Sequence, residues 1–176
     1  GKNLGGTYIG VISYYLSSPL NFMVLFFDKA DLPLFFNLLV IFKLMLCSAT
    51  CAIFLCVRFP GIRDVFKVLL AISYGLMQYN IAQSSNVMWL DGVYMFPLIL
   101  LGVYYLIYVN RMGMLAVTVA LSIIFNWYIA GINCLFSGFW CISELIYLYY
   151  SKQSSVKDLI KKFAYYVSAM CLGIAL

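Results

Sequence analysis

Asp91 is the side chain whose type and surroundings most directly suggest chemistry. It stands in the stretch SSNVMWLDGVYMFPLILLG, residues 84–102, directly before an apolar run and in a chain with only 6 acidic residues. An acid at the start of a helix caps free backbone N–H groups and complements the helix dipole. The same acid could instead serve as a catalytic or sugar-binding carboxylate at a membrane surface. The sequence leaves both interpretations open.

Asp91 has polar and aromatic neighbours of the types found in sugar-binding sites. Gln83, Asn86 and Trp89 are its candidate substrate-binding partners in the same stretch. Amides hold sugar hydroxyls, and the face of an indole ring stacks on a pyranose. Asn126, at the tip of a second polar turn, could hold a sugar hydroxyl or cap that turn equally well.

Two lysines are candidates for holding a phosphate. Lys43 lies about nine residues inside an apolar segment, roughly 14 Å below its end. An ionisable residue at that depth is costly and needs a partner. It could bind the phosphate of a lipid-linked sugar, snorkel to the surface, or pair within the bundle, with Glu144 as one candidate. Lys2, in the segment KNLGG, is either a solvated lysine or a further phosphate contact.

The composition indicates that membrane-spanning helices position these residues. Hydrophobic residues make up 65% of the chain and charged residues only 10%, against roughly a quarter charged in soluble domains. We therefore predict an all-α, polytopic transmembrane helical bundle without an aqueous domain. Because the 6 cysteines lie in apolar runs and histidine is absent, we predict packing roles for them and no zinc or haem site.

The apolar runs predict where the chain crosses the membrane, since a spanning helix needs about 20 mostly apolar residues. The expected spans are residues 34–57, 65–83, 93–109, 112–127, 131–150 and a truncated 163–176. Residues 8–27 are broken by Ser17-Ser18-Pro19, so they could span as one kinked helix or lie on the surface as two short ones. Residues 1–33 would precede the bundle proper.

The bases predict the orientation of these spans. Eight of the 11 bases lie at every second turn between spans, and these turns all fall on the same side of the membrane: Arg58, Arg63, Lys67, Arg111, Lys152, Lys157, Lys161 and Lys162. The positive-inside rule places these turns in the cytoplasm, and the polar turns at residues 84–92 and 126–131 outside. Bases spaced between apolar runs are typical of topology signals, so we expect no nucleic-acid partner.

Several segments, in this order, resemble the YfhO family of bacterial membrane proteins. They are KNLGGTYIGVISYYLSSPLN, the intramembrane lysine of VIFKLML, SSNVMWLDG before FPLILLG, and the NWYIAG hairpin. The similarity covers nearly the whole chain, and that family resembles GT-C-type glycosyltransferases. The resemblance implies a GT-C-like bundle, with residues 1–33 as the end of an external loop that carries short surface-lying helices.

The resemblance also implies an activity. GT-C-type enzymes move a sugar from a polyprenyl-phosphate carrier to an acceptor outside the cell, so the expected partners are membrane lipid, the lipid-linked sugar and a cell-envelope polymer such as teichoic acid. A divalent metal is compatible with this class. The principal catalytic acid of such enzymes lies early in the first external loop. Here it is expected upstream of Gly1, since both ends of the chain suggest a piece of a longer protein.

Two other classes of function remain open on the sequence. In a transporter or lipid flippase, Lys43 and Glu144 would line a pathway through the bundle. A non-catalytic role would make the chain an assembly partner of a separate enzyme.

Overall fold

A computed structural model describes residues 18–176, which are helical and contain no strand. Lys2 and residues 8–17, half of the segment at residues 8–27, lie outside these residues. Two short 3₁₀ helices, Pro19–Phe26 and Lys29–Asp31, precede the first long helix. The α-helices are α1 (Leu32–Arg58), α2 (Asp64–Gly75), α3 (Gln78–Ala82), α4 (Val87–Val109), α5 (Gly113–Tyr150) and α6 (Val156–Ala175).

Within the described residues, 4 stretches are long and apolar enough to cross a membrane: Lys29–Arg58, Asp64–Ala82, Val87–Val109 and Gly113–Tyr150. Large apolar side chains on their surfaces remain exposed, as a lipid-facing surface requires. The prediction of a polytopic helical membrane bundle is therefore confirmed.

Helix α5 consists of two antiparallel limbs. As one straight helix its 38 residues would extend about 57 Å, nearly twice the thickness of the hydrocarbon core. Asn126 interrupts it with φ −161° and ψ 97°. The first limb leaves the end of α4 and reaches its beginning, where Asn126 bonds to Met88, and the second returns until Glu144 contacts Tyr108. The chain thus reverses at Asn126, and we name the limbs α5a (residues 113–125) and α5b (residues 127–150).

Helix α4 begins earlier than the sequence suggested. The apolar run predicted a start near residue 93, whereas the helix starts at Val87 after the N-cap Asn86. Residues 87–92, predicted as part of an external turn, are therefore helical.

The predicted span at residues 65–83 is divided into α2 and α3 by a break at residues 76 and 77. The amide of Asn80 donates to the carbonyls of Tyr74 and Gly75, at 2.9 Å each. These bonds satisfy two of the carbonyls that the end of a helix leaves free. The last predicted span, residues 163–176, corresponds to the later part of α6 and its C-cap Leu176, and the N-cap of this helix is Ser155.

The bundle has a basic end and an opposite end. The turns at residues 59–63, 110–112 and 151–155 lie at the basic end, together with the bases named above. Its acids each form an ion pair there: Glu144 with Arg58, Asp64 with Lys67, and Asp158 with Lys162. The hydrogen bond from Lys162 lowers the pKa of the Asp158 carboxyl. Bases outnumber acids, so this end carries an excess of positive charge.

Glycines allow the helices around α4 to approach closely. A Cβ at Gly102 would lie 2.7 Å from the Cα of Leu115 on α5a, and one at Gly92 would overlap the side chain of Ile129 on α5b. Small residues at such crossings are typical of membrane bundles, where packing drives association between helices. Helix α4 is thus held between both limbs of α5.

Candidate functional site

Lys43 and Asp91 form a buried ion pair between α1 and α4. The Nζ of Lys43 lies 2.8 Å from Oδ2 of Asp91, and the two side chains are 0% and 1% exposed. The same ammonium donates to the carbonyl of Val87 at 3.0 Å. Each charge offsets the cost of burying the other in a region without water. The partner that the sequence required for Lys43 is therefore Asp91.

The carboxylate of Asp91 also holds the segment that precedes α1. Its Oδ1 accepts a hydrogen bond from Ser18 Oγ at 3.0 Å. Its Oδ2 pairs with Lys43. Both oxygens of Asp91 are thus engaged by protein groups, and residue 18 is fixed to the bundle.

The interpretation of Asp91 as a helix cap is wrong. Helix α4 starts at Val87, so Asp91 is its fifth residue and lies beyond the position of a cap. Its side chain bonds to other elements instead of to the first amides of α4. It is also fully buried.

Side chains from several helices bind the first two turns of α4, which we name the hub segment (residues 87–93). Its carbonyls accept hydrogen bonds from Lys43 at Val87, Asn126 at Met88, Asn133 at Gly92 and Tyr74 at Val93, over 2.7 to 3.0 Å. The donors come from α1, the α5 reversal, α5b and α2. Between membrane helices, such hydrogen bonds add to the packing that positions a helix.

Asn126 is occupied by structural bonds. Its Nδ2 donates to the carbonyl of Met88 and its Oδ1 accepts the N–H of Ile129, both at 3.0 Å. The second bond is that of an N-cap for α5b. Of the two roles left open by the sequence, the structure shows the cap, and the fully buried amide offers no free group to a sugar.

The other predicted residues lie nearer the surface. Asn86 donates to Gln83 at 2.8 Å in the turn before α4, and Trp89 is half-buried in the first turn of that helix. Lys43, Asp91 and Asn126 therefore converge on the hub segment, whereas Gln83 and Asn86 form a separate pair at the polar turn.

Glu144 belongs to a different cluster. Arg58 binds it through two hydrogen bonds, Nε to Oε1 at 2.7 Å and Nη2 to Oε2 at 2.9 Å, and Tyr108 donates to Oε2 at 2.7 Å. Tyr108 lies roughly 26 Å from Asp91 along α4, at 1.5 Å per residue. Glu144, one candidate partner for Lys43, is thus paired with Arg58 instead. The shared pathway proposed for a transporter loses its basis.

An apolar groove of about 380 Å³ borders the hub segment. Its walls come from α2, α3, α4 and α5b and include Tyr74, Val93, Ile129 and Asn133. Tyr74 and Asn133 are also the donors to Val93 and Gly92. The groove and the hydrogen bonds around the hub segment therefore share residues.

Sequence reasoning missed Ser18, Tyr74 and Asn133, because serines, tyrosines and asparagines in apolar runs give no distinctive signal. It identified Lys43 and Asp91 separately but not as a pair. The available signal was that each is an isolated charge beside or within an apolar run.

The described residues do not fit a divalent metal. Within residues 18–176, no group of 3 or more Asp, Glu, His or Cys side chains lies close enough to hold one. Asp91, the buried acid nearest the polar turn, has both oxygens engaged.

Comparisons with known proteins give one match. The model of a family described as bacterial membrane protein YfhO matches residues 1–176. No curated protein and no solved structure matches the chain.

Proposed function

Because this chain belongs to the YfhO family of bacterial membrane proteins, we propose that it forms part of a membrane glycosyltransferase. The enzyme would move a sugar from a polyprenyl-phosphate carrier to a cell-envelope polymer such as teichoic acid. In the transfer, a hydroxyl of the acceptor attacks the anomeric carbon, the bond to the phosphate breaks, and a base takes the hydroxyl proton. Of the described acids, Asp91, Glu144, Asp64 and Asp158 form ion pairs. This leaves the exposed Asp28 and Asp31, just before α1, as the described acids outside an ion pair.

The orientation of the site supports an external reaction. The excess of positive charge at the basic end favours the cytoplasmic side by the positive-inside rule. The polar turn with Gln83 and Asn86 then faces outward, above the hub segment. This is the side on which a lipid-linked sugar meets a cell-envelope acceptor.

The buried pair of Lys43 and Asp91 is the observation that carries the proposal. Ionisable residues inside a membrane bundle are rare and mark functional regions. Here the pair joins α1, α4 and Ser18 directly beneath the outward turn. We assign it a positioning role, in which Asp91 holds the preceding external segment over the substrate, because both charges are already neutralised by each other.

The apolar groove beside the hub segment supports the choice of donor. A polyprenyl chain needs an apolar surface that begins near the reacting phosphate, and this groove lies within one turn of Asp91 along α4. Its volume of about 380 Å³ can hold part of such a chain. With the chain in the groove, the sugar would lie at the polar turn.

The test separates positioning from stability. Lys43→Met and Asp91→Leu are made singly and together in the full chain, and sugar incorporation into the envelope is normalised to protein in the membrane. We expect the double variant to regain abundance while transfer stays at least about tenfold down, equivalent to about 1.4 kcal/mol in the barrier. Wild-type transfer in the double variant would assign the pair to stability alone. An unchanged envelope sugar content after deletion of the whole protein would refute the proposed function.

A further inference from the structure

A second groove, of about 630 Å³, lies at the basic end of the bundle. It is formed by α1, α4 and the start of α5, and its walls are mainly apolar, with Ile53, Val57, Leu101 and Met114. Ile53 is 50% exposed, so the groove opens toward the surrounding lipid. The groove thus presents an apolar surface at the depth of one leaflet.

A cation and a tyrosine lie at the mouth of this groove. Arg111 and Tyr105 both line it, and the N–H of Arg111 bonds to the carbonyl of Tyr105 at 3.1 Å, which holds the two residues together. Arg111 is exposed. The acids of this end are already paired with Arg58, Lys67 and Lys162, so no acid among the described residues neutralises it.

We propose that this groove binds an anionic phospholipid from the leaflet at the basic end. An acyl chain lies along Ile53, Val57 and Leu101, and the lipid phosphate binds the guanidinium of Arg111. Charge complementarity identifies the occupant, since a guanidinium binds phosphate oxygens in a bidentate way. A basic pocket between spanning helices is a recognised kind of site for anionic headgroups.

This lipid is distinct from the sugar carrier of the proposed function. Leu101 lies roughly 15 Å further along α4 than Asp91, at 1.5 Å per residue, toward the basic end. The two sites therefore face different leaflets, so either proposal can be refuted without refuting the other.

Lipid retention provides the test. The full chain is reconstituted in nanodiscs of phosphatidylcholine with a minor share of phosphatidylglycerol, released gently, and examined by native mass spectrometry for bound lipid. We expect phosphatidylglycerol to be retained in preference, and Arg111→Gln to reduce that preference about fivefold, the effect of about 1 kcal/mol per base near a membrane surface. Arg63→Gln, which removes the same charge from the same end but not from the groove, should leave it unchanged.

Two further variants test the groove itself. A Cβ at Gly113 meets nothing within 4 Å, so Gly113→Leu should fold normally while filling the groove and releasing both lipids. If Arg111→Gln and Arg63→Gln lowered the preference for phosphatidylglycerol equally, general surface charge would account for the preference, and the proposal would be overturned. A photoreactive residue at Met114 should crosslink to lipid, and a crosslink to a protein segment would show that protein covers the groove.

Discussion

At the scale of single residues, a buried ion pair stabilises a membrane protein only while both charges are present. Removing one leaves the other without water or a counter-charge, which costs about 3 to 5 kcal/mol, whereas replacing both with apolar residues is often neutral. Lys43 and Asp91 meet this condition, since both side chains are almost wholly buried.

We therefore predict strongly non-additive effects on stability at this pair. Lys43→Met alone should lower the free energy of unfolding by about 3 kcal/mol or more, and the double variant with Asp91→Leu should recover most of it. Thermal unfolding in detergent measures the change. Additive losses would show that the two charges do not interact, contrary to their 2.8 Å separation.

Asn126 gives a second prediction at this scale, because its amide uses its oxygen and its nitrogen for different bonds. Asn126→Asp keeps an acceptor for the N–H of Ile129 but loses the donor to Met88 and buries a charge. We expect it to be less stable than Asn126→Ala, which loses the cap at about 1 kcal/mol. If Asn126→Asp were the more stable, the cap alone would account for this residue. Thermal unfolding of the two variants under the same conditions measures which of them is less stable.

At the scale of elements, a proline in α4 leaves one backbone carbonyl without its partner, and a side chain of another helix supplies the missing hydrogen bond. Pro97 has no N–H, so the carbonyl of Val93 lacks its normal partner within the helix. Tyr74 on α2 donates to that carbonyl at 2.7 Å. An unsatisfied carbonyl in a membrane interior is costly, so the phenol both satisfies α4 and fixes α2 against it.

This arrangement predicts a double-mutant cycle. Tyr74→Phe should cost about 1 to 2 kcal/mol in the wild-type background. In Pro97→Ala the helix supplies its own donor to Val93, so the same change should cost clearly less. Unfolding free energies of the four proteins give the coupling. An equal cost in both backgrounds would mean that the hydroxyl acts through something other than the Val93 carbonyl.

Helices α1 and α4 run parallel and are clamped near both of their ends. Lys43 binds Asp91 toward the polar turn, and Arg58 lies over the ring of Tyr108 while binding Glu144 at the basic end. Because two polar contacts fix the register of this pair, the pair forms a rigid base against which the limbs of α5 pack.

At the scale of the whole molecule, the orientation in the membrane is the property on which an external site depends. In a variant without its native cysteines, we predict that an impermeant maleimide added outside will label Ser85→Cys and Trp127→Cys, and will not label Gln153→Cys or Arg63→Cys. These positions are exposed and lie at opposite ends of the bundle. Trp127 is the chosen position at the α5 reversal because the neighbouring Asn126 is too buried to react. Labelling from the reverse side would place the hub segment in the cytoplasmic half.

The sequence by itself determined the class of the protein and the main helices, because insertion into a membrane depends on the summed transfer free energy of each segment alone. The run around Lys43 is apolar enough that α1 was predicted within two residues of its observed end and start. The same reasoning identified Lys43 as a buried charge that needs a partner.

Only the tertiary structure decided which residues meet. Lys43 and Asp91 are 48 residues apart, and no local pattern selects that pairing over one with Glu144. The start of α4 was missed for the same reason. Residues 84–92 are polar enough to suggest a turn, and an acid in a helix within the membrane is costly unless a partner such as a base neutralises it. The contact with α1 thus decides both the helical state of residue 91 and its role.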